Sequence, residues 1–129
     1  MKKTDDNRSF RIRQRGKAGE LYVREYLEAH GCEIVTMNYS SRWGEIDIIA
    51  ENEARIIFVE VKTITSGSAS SGFERITPSK LRKFTLTVQD YLVAHPCDKQ
   101  PRIDCAQVTV REKDNSLVGI DYLKNAVIS

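Results

Sequence analysis

Two apolar segments separated by a very short connection constrain the fold of this chain more than any other feature. Residues 45–50 and 55–62 are rich in isoleucine and valine, which favours β-strands. The connection over residues 52–54 is too short for a helix, so the two strands are predicted to form an antiparallel hairpin. Residues 56–59 are apolar without interruption, which is typical of a strand buried inside a sheet.

The rest of the chain supplies further elements for this sheet. Apolar residues recur at helical spacing before Gly31 and after Pro78, and three more segments have the character of strands. The predicted helices cover residues 16–30 and 78–94, and the predicted strands cover residues 32–39, 45–50, 55–62, 102–111 and 117–123. The order α-β-β-β-α-β-β predicts an α/β (α+β) fold with one central mixed five-stranded sheet flanked by helices.

The length of 129 residues matches a single domain. We therefore predict a basic, flexible N-terminal arm over residues 1–14, followed by one domain over residues 15–129. Residues 65–72 are small and polar, so they are predicted to form a mobile surface loop.

Composition excludes several classes of protein. Hydrophobic residues make up 40% of the chain and charged residues 29%, as in ordinary globular proteins rather than disordered ones. The longest apolar run is far shorter than the ~20 residues that span a membrane, and the N-terminus does not resemble a secretory signal. Three cysteines without CxxC spacing argue against a disulfide scaffold or a zinc finger, and they favour a reducing, cytoplasmic location.

Positive charge is concentrated near the N-terminus. Residues 1–17 contain seven lysines or arginines and two aspartates. Such a segment is compatible with contact to the phosphate backbone of a nucleic acid, which makes Arg15 and Lys17 candidate contact residues. The alternative interpretation is a solvated tail without a partner.

Charged residues interrupt the two apolar strands on one side. With a two-residue turn at residues 53–54, Asp47 falls opposite Glu60 and Glu45 falls opposite Lys62, and all four point to the same side of the sheet. Opposed carboxylates repel each other, and a divalent cation would remove this conflict. Mg²⁺ is typically held by one or two carboxylates, waters and substrate phosphate oxygens, so the pattern indicates a site for phosphodiester cleavage.

Two further residues extend this constellation. Lys62 follows Glu60 by two positions and could orient an attacking water or stabilise the charge that develops on phosphorus. Glu20 borders the apolar face of the first helix and could therefore reach the sheet. The alternative is a solvated hairpin face on which Lys62 forms ordinary salt bridges with Glu45 or Glu60.

Three motifs at these residues carry a family resemblance. They are Arg15-x₃-Gly19-Glu20, Gly44-Glu45-Ile46-Asp47-Ile48-Ile49-Ala50 and Val59-Glu60-Val61-Lys62. Further matches are Asn38, Phe73, Lys80, Arg102-Ile103-Asp104 and Asn125-Ala126. The combination resembles the bacterial YraN family, whose members are largely uncharacterised. That family is similar to archaeal Holliday-junction resolvases, which belong to the restriction-endonuclease-like PD-(D/E)XK superfamily.

The resemblance implies a restriction-endonuclease-like core with a site for Mg²⁺ or Mn²⁺. By the resemblance, Asp47 and Glu60 would be metal ligands and Lys62 would be the catalytic lysine. Glu20 would be a further ligand of the metal or of a water. Thr63-Ile64 and Ser40 stand where the family often has basic residues, and this departure would weaken phosphate contact rather than the metal site.

Residues outside the two strands would hold phosphates of the substrate. Ser79 and Lys80 lie in the first turn of the second helix, where free N–H groups favour an anion, and Arg42 lies in the turn before Gly44. The leading interpretation is a nuclease-like domain that acts on nucleic acid, branched DNA in particular. A homodimer would follow from paired cuts in a junction. The alternatives are a catalytically silent nucleic-acid-binding module of the same fold and a protein-interaction domain.

Overall fold

The computed structural model describes residues 2–67 and 77–126 of the chain, with side chains from Asn7 onward. The elements are α1 (Lys2–Ala29), β1 (Glu33–Ser41), β2 (Gly44–Glu51), β3 (Arg55–Thr65), α2 (Pro78–Ala94), β4 (Gln100–Val110) and β5 (Leu117–Leu123). They form one five-stranded sheet in the order β1-β2-β3-β4-β5. Only the β3–β4 pair is parallel among these neighbours. The predicted α+β architecture and element order are therefore confirmed.

The boundaries of the predicted segments change in two places. Helix α1 begins at Lys2 rather than near residue 16, because the apolar periodicity marks only the part of the helix that packs on the sheet. The segment predicted as a basic arm thus continues the helix from Lys2 onward. The loop predicted over residues 65–72 lies outside the described residues from residue 68, and Phe73 also lies outside them.

Local sequence signals mark the end of α1 and the beginning of α2. Helix α1 ends at Ala29, and Gly31 follows with a φ of +86°, while the N–H of Cys32 donates to the carbonyl oxygen of Leu27 at 3.0 Å. Helix α2 begins with Thr77 as N-cap and proline at its first position, and the Thr77 side chain accepts a hydrogen bond from the N–H of Lys80. Within the described residues, no helix is long and apolar enough to cross a membrane.

A hydrophobic core covers each face of the sheet. On the first face, α1 packs its buried side chains against strands β2, β3 and β4. This cluster comprises Val23, Leu27, Ile48, Ala50, Ile57, Val59, Ala106, Val108 and Val110. On the second face, α2 packs against β2 and β3 through Ile46, Ile49, Ile56, Phe58, Phe84, Val88 and Tyr91. Strand β3 is buried on both faces, as its continuous apolar centre predicts.

The register of the β2–β3 hairpin is the predicted one. Ile48 pairs with Val59 and Ala50 pairs with Ile57, around a two-residue turn. The side chain of Asn52 accepts hydrogen bonds from the N–H groups of Ala54 and Arg55 at 3.0 and 2.8 Å. Because the Asn52 side chain satisfies these two N–H groups of the turn, the hairpin closes without a glycine.

The faces of β2 differ from the prediction near its N-terminal end. Strict alternation along the strand places Ile46 on the same face as Ile48 and Ala50, but Ile46 packs in the α2-side core while Ile48 packs in the α1-side core. The neighbouring strand β1 switches face at the same level, where Asn38 adopts a φ of +55°. This irregularity places Asp47 between two residues of opposite orientation.

A buried ionic network joins β4 to β5 and to the chain after it. Asp104 is fully buried and accepts two hydrogen bonds of 2.9 Å from the guanidinium of Arg102. The hydroxyl of Tyr122 and the N–H of Asn125 also donate to this carboxylate, at 2.6 and 2.9 Å. The carboxylate of the Arg102–Asp104 ion pair therefore lies in the interior of the protein.

Candidate functional site

The site is built around Asp47, where the β2–β3 ladder ends. The last paired residues of the ladder, counted away from the turn, are Ile48 and Val59. Beyond them, the N–H of Val61 donates to the Asp47 carboxylate at 2.7 Å. The Asp47 side chain thus takes the place of a backbone carbonyl as the acceptor of the next hydrogen bond between the strands. Regular pairing therefore stops short of the predicted partners, Asp47 with Glu60 and Glu45 with Lys62.

Burial and like charge act together on Asp47. Burial has the largest effect and raises the pKa of the carboxyl group from 3.8 to about 7, against the hydrogen bond from Val61, which lowers it. The carboxylates of Glu20, Glu60 and Glu45, in that order, contribute to this rise. Four acidic side chains from α1, β2 and β3 therefore interact at this position.

Close packing of α1 against β3 brings Glu20 to the sheet. Gly19 is buried against Thr63, and a Cβ atom added at Gly19 would collide with the Thr63 hydroxyl. Only glycine allows this approach. The next residue, Glu20, is half-buried and hydrogen-bonds to the side chain of Asn38, while burial raises the pKa of its carboxyl group. The prediction that Glu20 reaches the sheet is confirmed by these contacts.

Glu60 lies on β3 beside Cys105 of the parallel strand β4. Burial raises the pKa of the Cys105 thiol to about 12, and the carboxylate of Glu60 makes the largest charge contribution in the same direction. Lys80, at the start of α2, acts on the same thiol with the opposite sign. The N-terminal turn of α2 and Glu60 thus lie on the same side of the sheet.

Lys62 is exposed and lies two residues after Glu60, next to Gln107 of β4. Sequence reasoning missed Gln107. Its amide oxygen is buried, and within the described part of the chain it is the buried side-chain polar atom without a hydrogen-bond partner. A glutamine between Ala106 and Val108 in a buried strand was the available signal, because such strands are otherwise apolar.

The donor set suits a hard divalent cation, although it does not enclose one. Among the described residues, no three His, Cys, Asp or Glu side chains are grouped so that they could hold an ion by themselves. Carboxylate oxygens are nevertheless the ligands that Mg²⁺ and Mn²⁺ prefer, and Mg²⁺ usually keeps several waters. The raised pKa of Asp47, caused by burial and by three nearby carboxylates, fits an open site with one or two protein ligands.

The predicted phosphate-binding residues do not converge on one point. Arg15 donates through Nε to the side chain of Asn115 at 3.1 Å, so it also anchors α1 to the β4–β5 turn. Arg42 lies 4.9 Å from the ring centroid of Trp43, a cation–π contact. Lys17 is exposed on α1 beside Glu20, and Ser79 and Lys80 are exposed at the start of α2.

Comparison with known proteins gives a family and no reaction. The sequence profile of the "Uncharacterised protein family UPF0102" matches residues 19–108, which span the motifs with Glu20, Asp47, Glu60 and Lys62. A UPF0102 protein of Dichelobacter nodosus is 38% identical, covering 98% of this chain and 99% of the relative. Relatives from Synechococcus sp. (strain JA-3-3Ab) and Persephonella marina are 34% and 41% identical over 89% and 73% of this chain, covering 92% and 82% of their own lengths.

Proposed function

The chain belongs to the uncharacterised family UPF0102, which confirms the expected YraN membership, and we propose that it is a metal-dependent phosphodiesterase acting on nucleic acid. The substrate class that fits best is DNA, branched DNA in particular, and Mg²⁺ or Mn²⁺ is the proposed cofactor. The proposal includes a likeness of the chain to Holliday-junction resolvases. A reducing, cytoplasmic location is also proposed, supported by three cysteines that are free in the structure.

The observation that carries the proposal is the burial of the Asp47 carboxylate beside three other carboxylates. A partly buried carboxylate beside three other carboxylates is unfavourable unless a cation or a proton compensates it. A purely structural acid in this fold is held differently: the Asp104 carboxylate accepts hydrogen bonds from Nε and Nη2 of Arg102. Among the described contacts of Asp47, the donor is one backbone N–H. The contrast supports a site that is completed by a ligand.

The proposed roles of the acidic residues and of Lys62 follow from where these residues lie in the site. Asp47 and Glu60 would hold the metal, and Glu20, oriented by Asn38, would hold a water or complete the metal's ligands. A bound divalent cation supplies a water that ionises near neutral pH and stabilises negative charge on a phosphodiester. Lys62, exposed next to Glu60, would donate to the attacking water or to a phosphoryl oxygen.

The surrounding cations would bind the flanking phosphates. Lys17 lies beside Glu20 on α1, and Lys80 lies on the Glu60 side of the sheet. Arg42 and Ser79 would extend this contact from the β1–β2 turn and from the start of α2. Arg15 can contribute only in part, because its Nε is bonded to Asn115. Resolution of a four-way junction requires two cuts, so a homodimer belongs to the proposal.

Calorimetric titration of Mn²⁺ tests the metal site without a guess about the substrate. The wild-type protein is expected to bind Mn²⁺ saturably, and Asp47→Asn is expected to lose most of the binding heat. Asp121→Asn removes an exposed aspartate of β5 and is the matched control. Equal titrations for the wild type and Asp47→Asn would contradict the proposed metal site.

Cleavage assays then separate the proposed enzyme from its alternatives. A labelled four-way DNA junction and a linear duplex are incubated with Mg²⁺ or Mn²⁺ and with the wild type, Asp47→Asn or Glu60→Gln. Metal-dependent cleavage that both variants abolish is expected. Salt-sensitive DNA binding that survives both substitutions and requires no metal would instead indicate a silent nucleic-acid-binding module. Absence of both activities would point to a protein-interaction domain.

A further inference from the structure

The N-terminal half of α1 presents a cationic surface whose orientation is fixed by contacts farther along the helix. Gly19 packs on Thr63 of β3, and Val23 and Leu27 enter the core. One flank of α1 faces the β4–β5 turn, where the hydroxyl of Tyr22 donates to the carbonyl oxygen of Asn115 at 2.8 Å. The opposite flank carries Glu20 toward β1 and β2. Residues 7–14 are exposed all round.

The flank with Glu20 continues toward the N-terminus as a row of two basic residues and one phenylalanine. Lys17 and Arg13 precede Glu20 by three and seven positions, and Phe10 precedes it by ten, so the four lie along one stripe of the helix. At 1.5 Å per residue, Lys17, Arg13 and Phe10 lie about 4.5, 10 and 15 Å from Glu20 along the axis. Lys17 is close enough to Glu20 to lower the pKa of its carboxyl group.

Charge and exposure indicate what this stripe binds. Residues 7–19 contain five arginines or lysines and no acidic residue. Phe10 exposes 53% of its surface. Phosphates along a nucleic-acid strand complement a row of cations, and an exposed aromatic ring at its end offers a stacking surface for a base. The stripe also begins at the carboxylate site, where the strand would be cut.

We propose that the Phe10–Arg13–Lys17 stripe is the track for the nucleic-acid strand on one side of the scissile phosphate. Lys17 and Arg13 bind phosphates along the same strand, and the ring of Phe10 stacks on a base that is free of its partner. The inference rests on the proposed function and adds the direction and minimum length of the substrate. With ~3.4 Å of rise per nucleotide, contact out to Arg13 requires about three nucleotides beyond the cut.

A charge-matched pair of double variants tests the track. Arg13→Gln with Lys17→Gln is compared with Arg8→Gln with Arg11→Gln, which removes the same charge from the flank that carries Arg15. Binding of a fluorescent four-way junction is measured in EDTA at several salt concentrations, with circular dichroism as the check on helix content. The first pair is expected to lower the salt slope of the affinity by about two. The ratio of wild-type to variant affinity should then fall roughly tenfold between 50 and 200 mM salt.

The aromatic contact and the substrate length are tested separately. Phe10→Ala is expected to weaken binding of the junction roughly tenfold, whereas Ile12→Ala, an equally exposed apolar residue off the stripe, should leave it within twofold. In Mn²⁺, cleavage of strands shortened from either end should drop once fewer than about three nucleotides remain on one side of the cut. The Arg13/Lys17 double variant should lose this length dependence.

The outcomes distinguish this inference from the proposed function. Equal losses for the two charge pairs, or no loss for either, would overturn the track while cleavage by the wild type leaves the proposed function standing. A loss confined to the Arg13/Lys17 pair supports the track. A wild-type protein that neither binds nor cleaves the junction would overturn the proposed function itself, and the track with it.

Discussion

Replacement of Asp47 by asparagine should stabilise the metal-free protein while it abolishes the site. Burial and the neighbouring carboxylates raise the pKa of Asp47 from 3.8 to about 7, so the folded protein binds this proton more tightly than the unfolded chain does. The contribution of Asp47 to the free energy of unfolding therefore falls as the pH rises from about 4 to about 7. Each pH unit corresponds to about 1.4 kcal/mol, which gives a ceiling of about 4 kcal/mol.

The expected gain is smaller than this ceiling because solvent reaches part of the Asp47 side chain. We expect the metal-free Asp47→Asn protein to be more stable than the wild type by about 2–4 kcal/mol at pH 8. The amide oxygen can still accept the hydrogen bond from Val61, so the fold should be preserved. At pH 4 the wild-type carboxyl is neutral, and the difference should vanish.

Urea denaturation of both proteins at pH 4, 6 and 8, each with EDTA and with Mn²⁺, measures this difference. Mn²⁺ is expected to stabilise the wild type at pH 8 and to leave Asp47→Asn unchanged, since a ligand stabilises only the state that binds it. Asp121→Asn should match the wild type throughout. A difference between wild type and Asp47→Asn that does not grow with pH would refute the electrostatic reasoning.

Three further substitutions probe the frame of the site. Gly19→Ala should force α1 away from Thr63 and lower the free energy of unfolding, measured in urea, by about 1–3 kcal/mol. The displacement of the helix should also weaken the Mn²⁺ affinity measured by calorimetric titration. Arg102→Met should cost about 3–5 kcal/mol by thermal denaturation, because it leaves the fully buried Asp104 carboxylate without its cation. Gln107→Met should raise the free energy of unfolding by about 1 kcal/mol, because it removes a buried oxygen without a partner; an unchanged or lower melting temperature would contradict this.

Periodic and paired features of the fold could be predicted from the sequence. The continuous apolar centre of β3 indicated its central place, and the short connection indicated the hairpin register that pairs Ile48 with Val59. These features depend on local alternation and loop length, which are visible along the chain. The proximity of Asp47, Glu60 and Glu20 could be anticipated for the same reason.

Features that depend on the backbone conformation of single residues, or on distant contacts, could not be predicted. The switch that separates Ile46 from Ile48 arises where Asn38 takes a positive φ, and a non-glycine residue gives no reliable signal of this. The bond between Arg15 and Asn115 joins residues 100 positions apart. Sequence patterning alone assigned Arg15 to phosphate binding and contained no indication of this anchor.

The parallel pairing of β3 has a consequence for the order in which a growing chain can fold. All four acidic residues of the site lie within residues 20–60, on α1 and on the antiparallel strands β2 and β3. Each residue of β3 pairs with a residue of β4 that follows it by 45 positions. A chain synthesised only to the end of β3 would thus hold the complete set of carboxylates beside an open apolar edge, and such edges favour aggregation until β4 has been synthesised and has paired.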